Sequence, residues 1–242
     1  DQASGRPLYD VSQSQFILAD GQDALKVVLT TTTEAGIKVE KVFTFTRGDY
    51  RIGVNYHIAN TSDKPWQGVM FGQIKRDNSK DPSSDNHSFG MVTFLGGAWW
   101  TADKNYNKKS LADFGKEAMS QQVTGGWVAM VQHYFVSAWI PPAQQINQIS
   151  TRKGNNGADN YIGFTSSPLF VAPGGQGSVA ADFYAGPKIQ DKLKTLSPGL
   201  ELTVDYGWLW PIAQFLFWLL KSIHSFLGNW GWSIIVLTIL VK

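Results

Sequence analysis

The chain has 242 residues, and its 21 Lys and Arg against 19 Asp and Glu leave a formal net charge of +2. So small a charge excess gives no case for nucleic-acid binding, which needs a concentrated basic face. The absence of cysteine excludes disulfides, thiolate metal sites and cysteine nucleophiles. Hydrophobic residues make up 43% of the chain, and with 24 glycines, 10 tryptophans and 14 phenylalanines they favour a mainly β domain with a substantial core.

The first part of the chain has the residue pattern of antiparallel strands. Residues 24–34 are rich in β-branched side chains, and residues 37–46 alternate apolar with polar ones. Residues 50–58 continue the same period of two after the turn sequence Arg-Gly-Asp at 47–49. The pattern therefore predicts two half-buried strands joined by a tight turn.

Further strands and one short helix are predicted in the rest of the β region. Residues 125–142 are apolar at both alternating positions, which predicts one long strand covered on both faces. Residues 102–122 are expected to form a polar excursion with a short helix, and residues 147–160 to form a loop. The other predicted elements are a strand at 89–100 with a bulge marked by Gly96 and Gly97, strands at 161–165, 169–172 and 178–184, and a helix at 188–196.

The composition changes sharply after this region, and residues 208–227 are predicted to form a helix. Pro211 suits the first turn of that helix, and Gly228 suits its C-terminal end. Asn229 is then a candidate N-cap for a second helix that begins near Trp230.

The predicted helix at 208–227 has only one narrow polar stripe. Gln214, Lys221 and Ser225 recur at helical spacing, and the other positions are mostly Phe, Leu, Ile and Trp. A helix exposed to water on all sides would not carry so much apolar surface. The pattern is typical of a helix that lies in a membrane interface.

No motif in the chain indicates an enzyme. Nucleophile-elbow, phosphate-loop and dinucleotide-binding motifs are absent, and no pair of carboxylates stands out as an acid and a base. The four histidines are His57, His87, His133 and His224. None is four residues from another or beside a carboxylate cluster, so no metal site is predicted. His133 is expected to lie in a strand.

Six stretches, in order along most of the chain, carry a family resemblance. They are FTRGDY at 45–50, GGWVAM at 125–130, YFVSAWIP at 134–141, YAGPKIQDKL at 184–193, LTVDYGWLW at 202–210 and SIHSFLGNWGWSII at 222–235. Together they resemble the YidC-type membrane protein insertases of Gram-negative bacteria, and the last three stretches are very specific.

The resemblance implies a mainly β fold in three parts. Residues 1–205 would be an antiparallel super-β-sandwich periplasmic domain, residues 206–229 an amphipathic interfacial helix with its turn, and residues 230–242 the truncated start of a transmembrane helix. The implied function is to insert and fold inner-membrane proteins, alone or beside the Sec translocon, without an enzymatic activity, nucleotide, metal or other cofactor. The implied partners are nascent inner-membrane proteins, Sec translocon subunits and the lipid bilayer of the inner membrane, with most of this chain in the periplasm.

The resemblance also gives Lys242 a role. The family has a hydrophilic groove with one positive residue, commonly Arg, and Lys242 falls at that position. Residues 232–241 span about 15 Å as a helix, which is half of the ~30 Å hydrocarbon core. If Trp230 and Trp232 mark the interface, Lys242 lies near mid-membrane. The alternative is that Lys242 ends its helix at an aqueous boundary.

The helical region supplies the predicted membrane-interface residues. These are Trp208, Trp210, Phe215, Trp218, Leu219, Trp230 and Trp232. The alternative function is that of a carbohydrate-binding or mutarotase-like periplasmic β-sandwich domain, which is favoured if a cleft lined by Trp and His binds sugar. A third possible role for the β domain is that of a scaffold that contacts translocon subunits.

Overall fold

The computed structural model describes residues 7–81, 94–155, 157–204 and 210–242, apart from the side chains of residues 210, 211, 213 and 214. The chain divides into two compact units, Asp1–Thr203 and Val204–Lys242. The strands of the first unit are β1 Asp10–Val11, β2 Ala24–Thr32, β3 Ile37–Thr46, β4 Arg51–Asn60, β5 Trp66–Gly68, β6 Phe71–Asp77, β7 Gly96–Thr101, β8 Asn105–Ser110, β9 Ser120–Thr124, β10 Trp127–Val131, β11 Phe135–Ile140, β12 Ile146–Lys153, β13 Asp159–Ser166, β14 Leu169–Val171 and β15 Gln176–Pro187. The helices are α1 Gln190–Leu196, α2 Trp210–Leu227 and α3 Trp230–Val241, with 3-10 turns at Leu111–Asp113 and Leu200–Thr203.

The strands form three sheets. The largest has nine strands in the order β1-β2-β3-β4-β15-β11-β10-β7-β8, and the second has four in the order β6-β13-β12-β9. A small third sheet pairs β14 with β5. The pairings within these sheets are antiparallel, so the prediction of a mainly β, antiparallel fold is confirmed.

The predicted hairpin at the start of the domain is confirmed as β3 and β4. Alternating apolar side chains place Val54 and Ile58 of β4 in the interior. At the Arg-Gly-Asp turn, Gly48 has a φ of +70°, and the Asp49 N–H donates to the Thr46 carbonyl at 3.1 Å. Because a residue without a Cβ adopts this φ easily, the glycine explains the tight turn.

The main core receives side chains from both of the larger sheets. Val54, Met130 and Ala181 of the nine-stranded sheet join one apolar cluster with Ile149 and Ile162 of the four-stranded sheet. These residues are nearly inaccessible to water. Burial of apolar surface between the sheets is therefore what holds the first unit together.

The prediction of one long strand at 125–142 is wrong, because the segment folds into β10, a turn and β11. The Gln132 N–H donates to the Phe135 carbonyl at 2.9 Å and closes the turn, so His133 lies in the turn and not in a strand. The expectation of cover on both faces is correct for β10, which is buried throughout. Val128 and Met130 face the main core.

The opposite face of β10 is covered by the region that follows β15. There the Trp127 indole N–H donates to the Pro198 carbonyl at 3.0 Å. Leu193 of α1 and Leu200 of the following 3-10 turn are completely buried. The predicted helix at 188–196 is confirmed as α1, and its role is to close this outer layer.

The prediction of a loop at 147–160 is wrong, because residues 147–153 belong to β12 and residues 159–160 begin β13. The inward positions of β12 include the polar residues Asn147 and Thr151, whose hydrogen-bonding groups are satisfied locally. The Asn147 amide donates to the Gln145 carbonyl at 3.0 Å, and the Thr151 hydroxyl accepts from the Met119 N–H at 3.0 Å. Satisfied polar side chains can replace apolar ones in a strand interior, which hides the alternation from the sequence.

Two further expectations need correction. Residues 102–122 form β8, the 3-10 turn Leu111–Asp113 and the start of β9, in place of an excursion with a helix. The glycines of β7 mark no bulge, since Gly96 and Gly97 pair in continuous register with Val131 and Met130. A Cβ on Gly97 would lie 2.6 Å from Phe114 Cζ, so close packing explains this glycine. Part of the predicted strand at 89–100 lies outside the described residues.

Candidate functional site

The second unit consists of α2 and α3 joined by a capped turn. Gly228 has a φ of +64°, and its N–H donates to the His224 carbonyl at 2.8 Å, which ends α2. The Asn229 side chain accepts from the N–H groups of Gly231 at 2.8 Å and Trp232 at 3.3 Å. Both predicted signals, the C-terminal glycine and the asparagine N-cap, are confirmed.

Side chains on both helices reinforce this turn. The His224 and Trp230 rings stack with centroids 3.8 Å apart and planes inclined by 18°. Ser233 is completely buried, and its hydroxyl donates to the Asn229 carbonyl at 2.7 Å. The turn is thus held by an aromatic contact on one side and a satisfied hydroxyl on the other.

One side of α2 carries an apolar ridge formed by Ile212, Phe215, Leu219 and Phe226. With 3.6 residues per turn these positions fall within a narrow arc of the helix. Phe226 is 90% exposed, Phe215 is 59% exposed and Ile212 is 58% exposed. Leu219 is half-buried. Exposed apolar side chains that lie together on one side of a helix are typical of a surface that contacts a partner or a membrane.

The polar side of α2 carries Lys221 and Ser225, and both are exposed. Lys221 Nζ lies 5.1 Å from the centroid of the Phe217 ring. The Ser225 hydroxyl donates to the Ser222 carbonyl at 2.7 Å. The backbone of Gln214 lies in α2, but its side chain is outside the described set. The helix therefore presents lysine and hydroxyl groups on one side and the ridge on the other.

The helix α3 is apolar on nearly all sides. Its two hydroxyl groups bond to carbonyls of the preceding turn, Ser233 to Asn229 and Thr238 to Ile234, both at 2.7 Å. Trp232, Ile239 and Leu240 are exposed within this chain. Among the helices of the described ranges, none has both the length and the hydropathy needed to cross a bilayer.

The predicted interface residues differ in how far the structure describes them and in how exposed they are. Trp208 lies outside the described residues, and Trp210 is described only as the first residue of α2. Trp218 is exposed and stacks near Phe215 with centroids 6.1 Å apart. Trp230 and Trp232 lie in the first turn of α3, and their exposed fractions are 49% and 64%. The interfacial roles of all these residues remain predictions.

Lys242 lies at the C-terminal end of α3. Its backbone N–H donates to the Thr238 carbonyl at 3.2 Å, and its side chain is exposed. Twelve residues of α3 rise about 18 Å along the helix axis. The predicted groove role of Lys242 remains a prediction.

Sequence reasoning did not find a cleft of about 800 Å³ in the first unit. Its wall combines aromatic and cationic side chains that are distant in the sequence, among them Tyr9, Tyr56, Trp66 and Arg152. Arg152 lies over the Tyr161 ring at 3.9 Å from its centroid. Burial, with a smaller effect of Tyr56, raises the pKa of Tyr9. Such a wall can bind flat or polar ligands by stacking and hydrogen bonding.

The cleft matches the predicted Trp-and-His wall only in part. Trp66 lines it, but no histidine occurs among its described lining residues. His57 lies elsewhere, beside Lys38 and Glu40 in a smaller cavity of about 180 Å³. The His133 ring stacks on Tyr134 in the β10–β11 turn with centroids 4.0 Å apart. The histidines named for a sugar site therefore do not meet in the cleft.

Comparison with known proteins relates both units to one family. A family profile described as the YidC periplasmic domain matches residues 1–219. The chain is 54% identical over its whole length to the membrane protein insertase YidC of Stutzerimonas stutzeri and 55% identical to that of Pseudomonas entomophila, and it spans 43% of the length of each. In fold, 81% of the chain is similar to 30% of the α-galactosidase of Lactobacillus brevis, at 10% identity and a TM-score of 0.52. The chain therefore belongs to the YidC membrane protein insertase family and carries its periplasmic domain.

Proposed function

We propose that this chain is the periplasmic domain and the following helices of an insertase that inserts and folds inner-membrane proteins, alone or beside the Sec translocon. Support comes from the family profile and from relatives of 54% and 55% identity that are named membrane protein insertases. The protein lies in the bacterial inner membrane, with most of this chain in the periplasm. Its substrates are nascent inner-membrane proteins.

The observation that carries the proposal is the two-sided character of α2. Its ridge of Ile212, Phe215 and Phe226 is exposed, whereas Lys221 and Ser225 lie on the other side. This arrangement suits a helix that lies along the periplasmic membrane surface, with the ridge toward the acyl chains. The half-exposed Trp230 and Trp232 suit a position at the same membrane surface, because indoles favour the headgroup region.

Lys242 supplies the positive charge of the hydrophilic groove in this proposal. Trp230 and Trp232 mark the interface, and the ~18 Å rise of α3 brings Lys242 toward the middle of the bilayer. A charge at that depth costs at least ~2.5 kcal/mol unless it faces water or protein, which a hydrated groove provides.

The first unit is proposed to be a super-β-sandwich that serves as an accessory binding or scaffold module, without turnover. Support comes from the shared apolar cluster of the two larger sheets and from the fold similarity to an α-galactosidase. Carbohydrate binding is the second candidate function, and the aromatic and cationic wall of the 800 Å³ cleft favours it.

The proposed function is tested by insertion assays in cells depleted of their own insertase and supplied with the full-length protein. Phe215→Asp places a charge on the apolar ridge, and Ser225→Asp places the same charge on the polar side of the same helix. We expect Phe215→Asp to impair insertion of an inner-membrane protein and Ser225→Asp to support it. Equal insertion with both variants would contradict an interfacial α2.

A further inference from the structure

The 800 Å³ cleft of the first unit draws its wall from all three sheets. Its described lining includes Lys41 and Tyr56 of the nine-stranded sheet, Gln73 and Arg152 of the four-stranded sheet, and Trp66 of the small third sheet. The volume lies within the range of about 300–1,000 Å³ that is typical of small-molecule sites. Two cationic side chains and no carboxylate occur among the described lining residues. The charge of the cleft therefore favours an anionic ligand.

Lys41 occupies an inward position of β3. Its neighbours at a spacing of two, Val39 and Phe43, both pack against apolar clusters of the first unit. Because successive side chains of a strand point to opposite faces, Lys41 shares the inner face with these two residues. It is half-buried there and pairs with Tyr56 in the β3–β4 register. A lysine at such a position is informative, since apolar side chains are the usual occupants.

Two aromatic rings position the Lys41 ammonium group. Its Nζ lies 4.8 Å from the centroid of the Phe43 ring and 5.2 Å from that of the Tyr56 ring. Because an aromatic ring has no net charge, such contacts orient the cation without neutralising it. Among the described residues, no carboxylate lies within ion-pairing distance of Lys41. The positive charge is therefore available to a ligand.

Arg152 supplies the second cation of the cleft. Its guanidinium lies over the Tyr161 ring at 3.9 Å from the centroid, and one N–H donates to the Gln73 side-chain oxygen at 3.5 Å. In the part of the chain that the structure describes, Arg152 also has no carboxylate partner. A planar guanidinium matches the geometry of a carboxylate, and charge-assisted hydrogen bonds are the strong ones.

The rest of the lining suits hydroxylated rings. The hydroxyl groups of Tyr9 and Tyr56 have no hydrogen-bond partner within the described ranges, and each can both donate and accept. The Trp66 ring covers Gly68, where a Cβ would collide with it, so the position of the indole is fixed. Aromatic surfaces with a few polar groups between them are typical of ligand sites.

We propose that the cleft binds an oligosaccharide of sugar acids. The carboxylates of the sugar lie on Lys41 and Arg152, and its hydroxyl groups bond to Tyr9 and Tyr56. An oligosaccharide with one carboxylate on each ring can meet the two cations at separate points of the cleft. This inference rests on carbohydrate binding, the second candidate function, and names the class of sugar.

The proposal is tested by titration calorimetry of the chain in detergent micelles. The two probes are trigalacturonate and its trimethyl ester, which keeps the same rings and ring hydroxyl groups but carries no charge. We expect the acid to bind at least about tenfold more tightly than the ester, because only the acid forms charge-assisted hydrogen bonds. Added salt should reduce this preference, since salt screens charge pairs that solvent can reach.

Two variants separate the cleft from the overall charge. Lys41→Gln removes a charge from the cleft, and Lys38→Gln removes the same charge from the opposite face of β3, where Lys38 pairs with Glu40 at 3.0 Å. We expect Lys41→Gln to weaken binding of the acid about tenfold or more and to spare the ester. Lys38→Gln should change neither, and Lys41→Arg should restore binding of the acid. Arg152→Gln alters an exposed side chain, so it tests the site even if Lys41→Gln disturbs the fold.

The other outcomes would overturn the proposal in distinct ways. Equal binding of acid and ester would leave carbohydrate binding intact and exclude the selection of sugar acids. Binding of neither probe would remove carbohydrate binding as well. An equal loss in Lys38→Gln and Lys41→Gln would assign the effect to net charge. Triglutamate that binds as tightly as trigalacturonate would assign the cleft to acidic peptides.

Discussion

His224 and Trp230 stack face to face across the turn between the last two helices, with ring centroids 3.8 Å apart. The two residues belong to different helices and flank Gly228, whose positive φ reverses the chain. Asn229 lies between them and caps α3 through the N–H groups of Gly231 and Trp232. The angle between α2 and α3 is therefore set by a few identifiable contacts.

The first prediction concerns the Asn229 cap. Asn229→Ala removes the only acceptor that its side chain offers to the first N–H groups of α3, and such losses cost about 1 kcal/mol. We expect the start of α3 to fray and the angle between α2 and α3 to become less uniform. Spin labels at Lys221→Cys and Thr238→Cys should then give a broader distance distribution than in the parent chain. Asn229→Asp keeps an acceptor and should preserve the narrow distribution, and an equally narrow distribution in Asn229→Ala would contradict the cap's role.

The second prediction concerns pH and Asp182 on β15. Burial raises the pKa of this carboxyl, Arg51 at 3.6 Å opposes the shift, and Asp49 adds to it. Because the folded state holds the proton more tightly than the unfolded state, the contribution of Asp182 to stability is largest at low pH and is lost as the pH rises through the raised pKa. Asp182→Asn, which cannot ionise, should gain stability relative to the parent as the pH rises.

Urea unfolding midpoints of both proteins, measured from about pH 4 to about pH 7, test this prediction. The variant's midpoint should rise relative to that of the parent over this interval. Arg51→Gln removes the cation that opposes the shift, and in that background the pH dependence should become steeper. A difference between the Asp182→Asn variant and the parent that is constant with pH, or that falls as the pH rises, would contradict the prediction.

Local signals were readable in the sequence, whereas long-range ones were not. The β3–β4 hairpin was predicted because apolar and polar residues alternate around a Gly turn, and the α2–α3 turn because Gly228 and Asn229 act on their own neighbours. The strand β12 was missed because Asn147 and Thr151 occupy buried positions with satisfied hydrogen bonds. Periodicity in hydrophobicity cannot detect a polar residue whose partner is supplied by the fold.

The candidate sites show the same difference between local and long-range signals. The amphipathic character of α2 follows from the spacing of residues within one segment, so its ridge and stripe were visible before folding. The 800 Å³ cleft joins Tyr9, Trp66 and Arg152, which are distant in the sequence. Such sites exist only once the sheet order has brought distant segments together, and one sequence alone gives no pairing of those segments.

The third prediction places α2 in the membrane interface. Labels at Phe215 and Leu219, on the apolar ridge, should be shielded from a water-soluble relaxation agent and accessible to oxygen in lipid vesicles. Labels at Lys221 and Ser225, on the opposite side, should show the reverse. The four positions lie within three turns of one helix, so each is a control for the others. A ridge that reports bulk water would contradict the interfacial placement.

The fourth prediction concerns sugar chemistry in the β domain. The described lining of the 800 Å³ cleft includes Lys41, Arg152 and aromatic residues but no carboxylate and no histidine. Glycoside hydrolysis generally requires two carboxyl groups on opposite sides of the bond, and general acid–base catalysis requires a group that titrates near the working pH. We expect the chain neither to speed up galactose mutarotation nor to hydrolyse an aryl galactoside. Turnover that disappears in His57→Ala or His133→Ala would overturn this expectation.

The fifth prediction concerns Lys242, the residue that ends α3. If α3 starts at the interface, its ~18 Å rise takes the ammonium group toward the middle of the membrane. An uncompensated charge at that depth is costly. The proposed function of the ammonium group is to attract acidic or polar parts of an incoming chain. Lys242→Arg keeps the point charge and should be tolerated, although it exchanges a compact ammonium for a planar fork. Lys242→Glu reverses the charge and should weaken insertion of substrates with acidic translocated tails.

The insertion assay for Lys242 uses full-length protein in cells depleted of their own insertase, with two substrates that differ only in the charge of the translocated tail. Lys242→Glu should lower insertion of the acidic tail far more than that of the neutral tail, because repulsion acts only on the former. Lys242→Leu removes the charge without reversing it, so its defect with the acidic tail should be intermediate, and its fold should be at least as stable because no charge is buried. A loss of insertion that is equal for both tails would point to a damaged helix. If Lys242→Glu inserts the acidic tail as well as the parent does, the ammonium has no part in translocation and Lys242 is only a tolerated polar residue at the end of α3.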